Sequence, residues 1–214
     1  MTHAAPHHHH HDERCQSCAS ELKHRLYCDS CEKIQQLGQG DDYFSIFGHP
    51  RSFKLDQAVI EATFDEMMLA LHPDFHATAE AHQQALSIEH SALLNEAKNA
   101  LFNPYLRGRY LLTLLVPEIG TVLGQPPQDF IFETFEIQEA LDAAEQGNQE
   151  LAPLQGRIAA MSSQLELDLD GQFQKLTEYG DQPELVEQIQ AGLGKLKFVL
   201  NLATRANEIK KQVS

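Results

Sequence analysis

After residue 55 the apolar residues of this chain recur at helical spacing almost without interruption, and that periodicity excludes most folds. Ile60, Phe64, Met67 and Leu71 step by four, three and four, which is one face of a helix beginning near Asp56, a residue suited to an N-cap. Leu86, His90, Leu93, Ala97 and Leu101 mark a second helix over about 79–102. Asn103-Pro104 breaks it, and Pro104 suits the first position of a further helix, YLRGRYLLTLL. Three longer helices are expected beyond. The first spans about 128–146 and stops at Gly147. The second spans about 150–178, with Leu154, Ile158, Met161, Leu165, Leu169, Phe173 and Leu176 in register. The third starts near Pro183, with Leu185, Ile189, Leu193, Leu196, Leu200 and Ala203 on one face. Three helices joined by short turns make an antiparallel bundle. No segment alternates with period two for long enough to be a strand, short pieces near the cysteines aside, so the fold is nearly all-α.

Punctuation divides the chain. Pro117, Gly120, Gly124, Pro126 and Pro127 crowd residues 116–128, which reads as a domain boundary. LGQGDD, residues 37–42, reads as a linker, followed by a short apolar piece, DYFSIFG. His7 to His11 are consecutive, and residues 1–11 read as a tag or natural His-rich tail without order. The net charge of −15 accumulates mostly towards the C-terminus. Such a surface repels phosphate backbones, which excludes nucleic acid as a partner. No apolar run approaches the ~18 residues of a membrane span. The N-terminus lacks a secretory signal and, with Asp12 and Glu13, the acid-poor look of a transit peptide. The expected location is a bacterial cytoplasm, or the mitochondrial matrix for a processed eukaryotic form.

All four cysteines lie in residues 12–36. Cys15-x-x-Cys18 and Cys28-x-x-Cys31 are separated by nine residues. Each C-x-x-C turn aims two thiolates at one point, and two turns supply the four sulfurs of a closed tetrahedron. A segment this short buries little apolar surface, so a structural metal, zinc by preference, would carry its folding. Iron suits the same sulfurs. Paired disulfides are disfavoured because nothing indicates secretion.

Two further features point to binding rather than chemistry. Pro73 turns His72 away from helical geometry, so His72-Pro73-Asp74 should sit on the loop joining two long helices, at a hairpin tip. A catalytic His/Asp pair is disfavoured there: no nucleophile is close in sequence, and a hairpin tip is a poor pocket. In the helix from Phe130, at about 100° per residue, Phe130, Ile137, Leu141 and Ala144 fall within roughly 40° of one direction. Phe132, Phe135, Glu136 and Glu139 lie roughly opposite. Two aromatics with two carboxylates on a solvent face suggest a protein-binding surface.

DYFSIFG, then a helix running into HPDF, then LLNEAKNALFNPYLRGRYLL and FIFETFEIQEALDAAE resemble the HscB-type iron–sulfur co-chaperones, which are J-domain proteins. The resemblance covers residues 42 to about 210, and the cysteine segment is similar to the N-terminal extension of some members. It implies an L-shaped all-α protein: a four-Cys zinc-binding segment at 12–36, a J-domain at 41–116 and a C-terminal three-helix scaffold-binding bundle at 127–213. It implies a co-chaperone, not an enzyme. His72, Pro73 and Asp74 would dock on a DnaK-type or HscA-type chaperone ATPase and stimulate ATP hydrolysis, Asp74 through an arginine of that partner. Ile131, Phe132, Phe135, Glu136, Glu139 and Phe198 would bind an IscU-type scaffold carrying a nascent cluster. A homodimer is a further expectation. One position, acidic in a bacterial relative, is Ala143 here.

One departure stands out. The helix before HPD, usually basic in J-domains, carries no cation here but Glu61, Asp65 and Glu66. Arg51, Lys54, Arg107 and Arg109 are the nearest candidates to supply positive charge. Two other readings remain open: a J-domain co-chaperone serving a different client, and a zinc-dependent redox or interaction module built on the cysteines.

Overall fold

The computed structural model describes residues 14–119 and 126–213. The His-rich tail and residues 120–125 of the expected domain boundary lie outside them. Among the described residues seven α-helices run in order: α1 Tyr43–Ile46, α2 Gln57–Leu71, α3 Ala81–Phe102, α4 Pro104–Leu115, α5 Gln128–Glu145, α6 Leu151–Tyr179 and α7 Pro183–Val213. Short 3-10 turns cover Pro73–His76 and Pro117–Ile119. The described residues hold no strand, only three isolated bridges in the cysteine segment, and no helix among them is long and apolar enough to cross a membrane. The fold is all-α.

The chain forms two compact units. One comprises residues 1–51 and 55–103, the other residues 52–54 and 104–214. In the first, α2 and α3 pack as a hairpin around Ile60, Met67, Leu71, Leu86, Leu94 and Leu101. Leu94 is fully buried and the expected Leu93 only half-buried; both fall near the edges of the same apolar arc, and packing selects Leu94. Asp56 caps α2 through the amides of Ala58 and Val59. The supposed linker at 37–42 is an ordered tie. Asp41 accepts two bonds from the Arg25 guanidinium, at 2.9 and 2.6 Å. Asp42 caps α1 and takes Arg51 Nε at 2.6 Å.

The second unit is built on α6 and α7, with α5 across one part and α4 across another. Ile137, Leu141, Ala144, Leu154, Ile158, Val199, Leu202, Ala206 and Ile209 form one buried cluster. The α7 stripe passes through Val199 and Leu202, while the expected Leu200 and Ala203 are half-buried. Steps of three and four after Leu196 both stay on the apolar side, and packing selects the former.

PYLRGRYLL, which opens α4, is tied to Phe53. Arg107 donates to the Phe53 carbonyl at 2.6 Å, and its guanidinium lies 5.0 Å from the Phe53 ring. Phe53 in turn stacks on Phe173 of α6 at 5.3 Å. Burial lowers the Arg107 pKa, with Glu166 and Asp170 opposing the shift. Arg107 is therefore an internal strut and adds nothing to a basic surface. Gly108 lets α4 approach α7: a Cβ there would stand 2.4 Å from Leu193 Cδ2 and 3.0 Å from Phe53. Gly108→Ala is expected to cost about 1–3 kcal/mol by overpacking, lowering Tm by roughly 2–10 °C in a thermal melt. An unchanged Tm would show that Leu193 and Phe53 yield freely.

Candidate functional site

The end of α2 is shaped by what Pro73 lacks. A continuing helix would satisfy the carbonyls of Leu69, Ala70 and Leu71 with the amides of residues 73, 74 and 75. Pro73 has no N–H. The amide of Asp74 instead donates to His72 Nδ1 at 3.2 Å, and that of Phe75 to the His72 carbonyl at 3.0 Å. The Leu69 carbonyl takes the His72 amide at 3.4 Å, and side chains take over the other two. His76 Nε2 donates to Ala70 O at 2.8 Å, and Ser87 and Ser91 of α3 donate to Leu71 O at 2.6 and 3.2 Å. The loop is thus fixed from both sides.

His72 Nδ1 lies 3.8 Å from an Asp74 carboxylate oxygen, beyond hydrogen-bond distance, and accepts the Asp74 amide instead. The Asp74 side chain is 89% exposed. His72 therefore braces the turn and Asp74 presents its charge to solvent. His76, Ser87 and Ser91 carry no local pattern that marks them as braces.

The cysteine segment lies against this hairpin. Its two C-x-x-C turns are near copies. The Ala19 amide bonds Cys15 O and the Glu32 amide bonds Cys28 O, at 2.9 and 2.8 Å, and Ala19 and Glu32 both take positive φ, 60° and 58°. The turns bring all four Sγ atoms within 4.8 Å of one another. Cys15 and Cys31 are 3.5 Å apart and Cys18 and Cys28 are 3.7 Å apart. A tetrahedron with metal–sulfur bonds of about 2.3 Å has edges of about 3.8 Å, so the donor set fits one ion.

The thiols are primed unequally. Burial acts to raise Cys15, but the amides of Cys18 and Ser17 outweigh it and bring the thiol down to about 6. Burial pushes Cys31 up to about 12. A cation that displaces the remaining protons is what lets four thiolates share this space.

Contacts with α2 and α3 hold the segment down. Gln83 accepts from the Ile34 amide at 2.8 Å and donates to the Ile34 carbonyl at 3.2 Å, as a neighbouring strand would. His90 Nε2, buried in α3, donates to Gln35 O at 2.8 Å. Lys23 and His24 both reach Glu66, at 2.7 and 2.9 Å, and hold its carboxyl below the usual range. Glu61 pairs with Lys98 at 3.4 Å. Two of the three acids on α2 are therefore answered from within the same unit. Burial, then the charges of Glu32 and Asp29, push the Tyr27 phenol up.

In the second unit, α5 buries Ile137, Leu141 and Ala144, with Phe130 packed at the edge of their cluster. Its other side carries Ile131, Phe132 and Phe135 at 45, 70 and 56% exposure, together with exposed Glu136 and Glu139. Phe198 of α7, a helix packed against α5, is 37% exposed.

Residues 126–207 match the family model described as the HSCB C-terminal oligomerisation domain. The human iron–sulfur cluster co-chaperone protein HscB is 32% identical over 137 residues, which cover 62% of this chain and 58% of the human protein. The aligned part thus spans less than two thirds of that relative. The structure of the chaperone HscB from Vibrio cholerae matches with a TM-score of 0.67 at 28% identity, covering 81% of this chain and 100% of that one. The crystal structure of the human co-chaperone protein HscB matches in fold, with a TM-score of 0.66 at 23% identity over 93% of this chain and 98% of that one. The chain is similar to HscB proteins over these stretches, and at its N-terminal side Cys15, Cys18, Cys28 and Cys31 cluster at metal-binding distance.

Stripping the metal with a chelator at neutral pH is expected to speed hydrogen exchange at the amides of Ile34 and Gln35 by about tenfold or more, with α6 and α7 still protected. Unchanged protection at those two amides would show that docking of the segment does not need the metal.

Proposed function

We propose that this protein delivers an IscU-type scaffold, loaded with a nascent iron–sulfur cluster, to a DnaK-type chaperone of the HscA kind and triggers ATP hydrolysis there. The cluster is cargo, and the chain performs no bond chemistry of its own. Residues 41–116 act as the J-domain and residues 127–213 as the scaffold-binding bundle. The compartment follows that of the partners: bacterial cytoplasm, or mitochondrial matrix for a processed eukaryotic form.

The observation that carries this reading is the loop at the end of α2. Its stranded carbonyls are capped by His76, Ser87 and Ser91, yet Asp74 is turned out at 89% exposure. A carboxylate on a braced tip makes a charge-assisted contact with an arginine without first losing loop entropy. His72 and Pro73 set that geometry. The α5 face supports the second half of the reading. Exposed Ile131, Phe132 and Phe135, bordered by Glu136 and Glu139 and joined by Phe198 on α7, supply apolar anchors with a charged rim. Cys15, Cys18, Cys28 and Cys31 would hold zinc in a closed structural site, which stabilises the segment and leaves no open coordination position.

A steady-state ATPase assay of the cognate chaperone, paired with scaffold titration, tests both ends. His72→Gln is expected to abolish stimulation while scaffold affinity is retained. Phe132→Ala with Phe135→Ala is expected to weaken scaffold binding by about 100-fold or more, with the helical CD spectrum and basal stimulation retained. Stimulation surviving His72→Gln would refute the first assignment, and unchanged scaffold affinity the second. If the bundle captures a different client, the scaffold titration shows no binding even for the unaltered chain.

A further inference from the structure

Beside the His-Pro-Asp loop, the cysteine segment and the helical hairpin enclose a groove of about 600 Å³. Tyr27, Glu32 and Lys33 stand on one side, and Leu69, Phe75 and Glu80 on the other. Leu69 and Phe75 are 65 and 68% exposed. Large apolar side chains this open, two within one groove, lose free energy to water unless something covers them. The groove is continuous with the loop: the Phe75 ring stands edge-on to His72 at 6.0 Å.

Charge narrows the occupant. Glu32 and Glu80 line the groove against a single cation, Lys33, and Asp74 adds a further carboxylate just beyond Phe75. Lys23 and His24 of the same segment are engaged with Glu66. Glu32 also has a backbone reason to draw notice. It takes φ of 58°, a conformation glycine adopts more readily. Its counterpart in the first turn, Ala19, presents only a methyl group, so the turn itself does not call for a carboxylate.

We propose that this groove binds a segment of the DnaK-type chaperone in which a large apolar side chain is flanked by lysine or arginine, making the cysteine segment part of the chaperone-docking face. The apolar side chain covers Leu69 and Phe75, and the cations meet Glu32, Glu80 and Asp74. An acidic α2 is then no defect in docking, because the partner's contribution at this edge is itself cationic. The assignment rests on the chaperone-docking reading of the loop.

The test uses the full chain titrated into the cognate chaperone at low salt, with His72→Gln run in parallel. Glu32→Lys with Glu80→Lys is expected to raise the concentration for half-maximal stimulation by about tenfold, a gap that closes as salt is added. Phe75→Ala, at a position 68% exposed, is expected to raise it several-fold at every salt concentration. Metal content and CD spectrum check that each variant is folded. If both variants titrate like the unaltered chain while His72→Gln abolishes stimulation, the loop reading stands and the groove assignment falls. If His72→Gln stimulates normally, the loop reading itself fails and the groove assignment falls with it.

Discussion

The missing N–H of Pro73 is the constraint on which the first unit depends. It ends α2 at Leu71 and leaves helix carbonyls without their usual donors. An unpaired buried carbonyl costs about 1–3 kcal/mol, so the surrounding residues are arranged around that deficit. His72 turns its ring to take the Asp74 amide. His76 reaches back to Ala70, and Ser87 and Ser91 reach across from α3 to Leu71. Those bonds fix where the hairpin turns, which side chains the tip presents and how far α3 can shift against α2. The outward placement of Asp74 follows from the same bonds.

The cysteine segment extends this logic. Its turns bring four sulfurs to metal-binding distance, and the folded segment presents Ile34 to Gln83 and Gln35 to His90. It is fastened to the hairpin that carries the loop, not appended as a separate bead. Lys23 and His24 from this segment meet Glu66, so part of the charge pattern that looks anomalous on α2 alone is a docking surface for the chain's own N-terminal residues. What remains outward-facing near the loop is apolar and mostly acidic, with Lys33 the one cation lining the groove.

Much of this architecture is legible locally. Asp56, Pro104, Gly147 and Gly180 mark helix ends because capping and backbone rules act within a few residues. The four cysteines and the two faces of α5 are legible for the same reason: spacing alone decides them. What escapes is contact between distant residues. Nothing near Gln83 announces a clamp on Ile34, and nothing near Glu66 announces Lys23. Arg107 looks like a surface cation in a run of tyrosines and leucines, yet Phe53 and the α6 carboxylates draw it inside. Asp41 and Asp42 read as linker because their partners, Arg25 and Arg51, lie 16 and 9 residues away. The choice between Leu200 and Val199 on α7 is a packing decision that periodicity leaves open.

The central claim is that one chain must hold both partners: a braced carboxylate tip for the chaperone and an exposed aromatic face for the scaffold. On this proposal neither surface alone would deliver cargo. The most direct test mixes two singly defective proteins, His72→Gln and Phe132→Ala/Phe135→Ala, and measures chaperone ATPase activity with scaffold present. The account predicts that the mixture lacks the synergistic stimulation given by the unaltered chain with scaffold. Full synergy from the mixture would contradict it, because the two ends would then work without being joined.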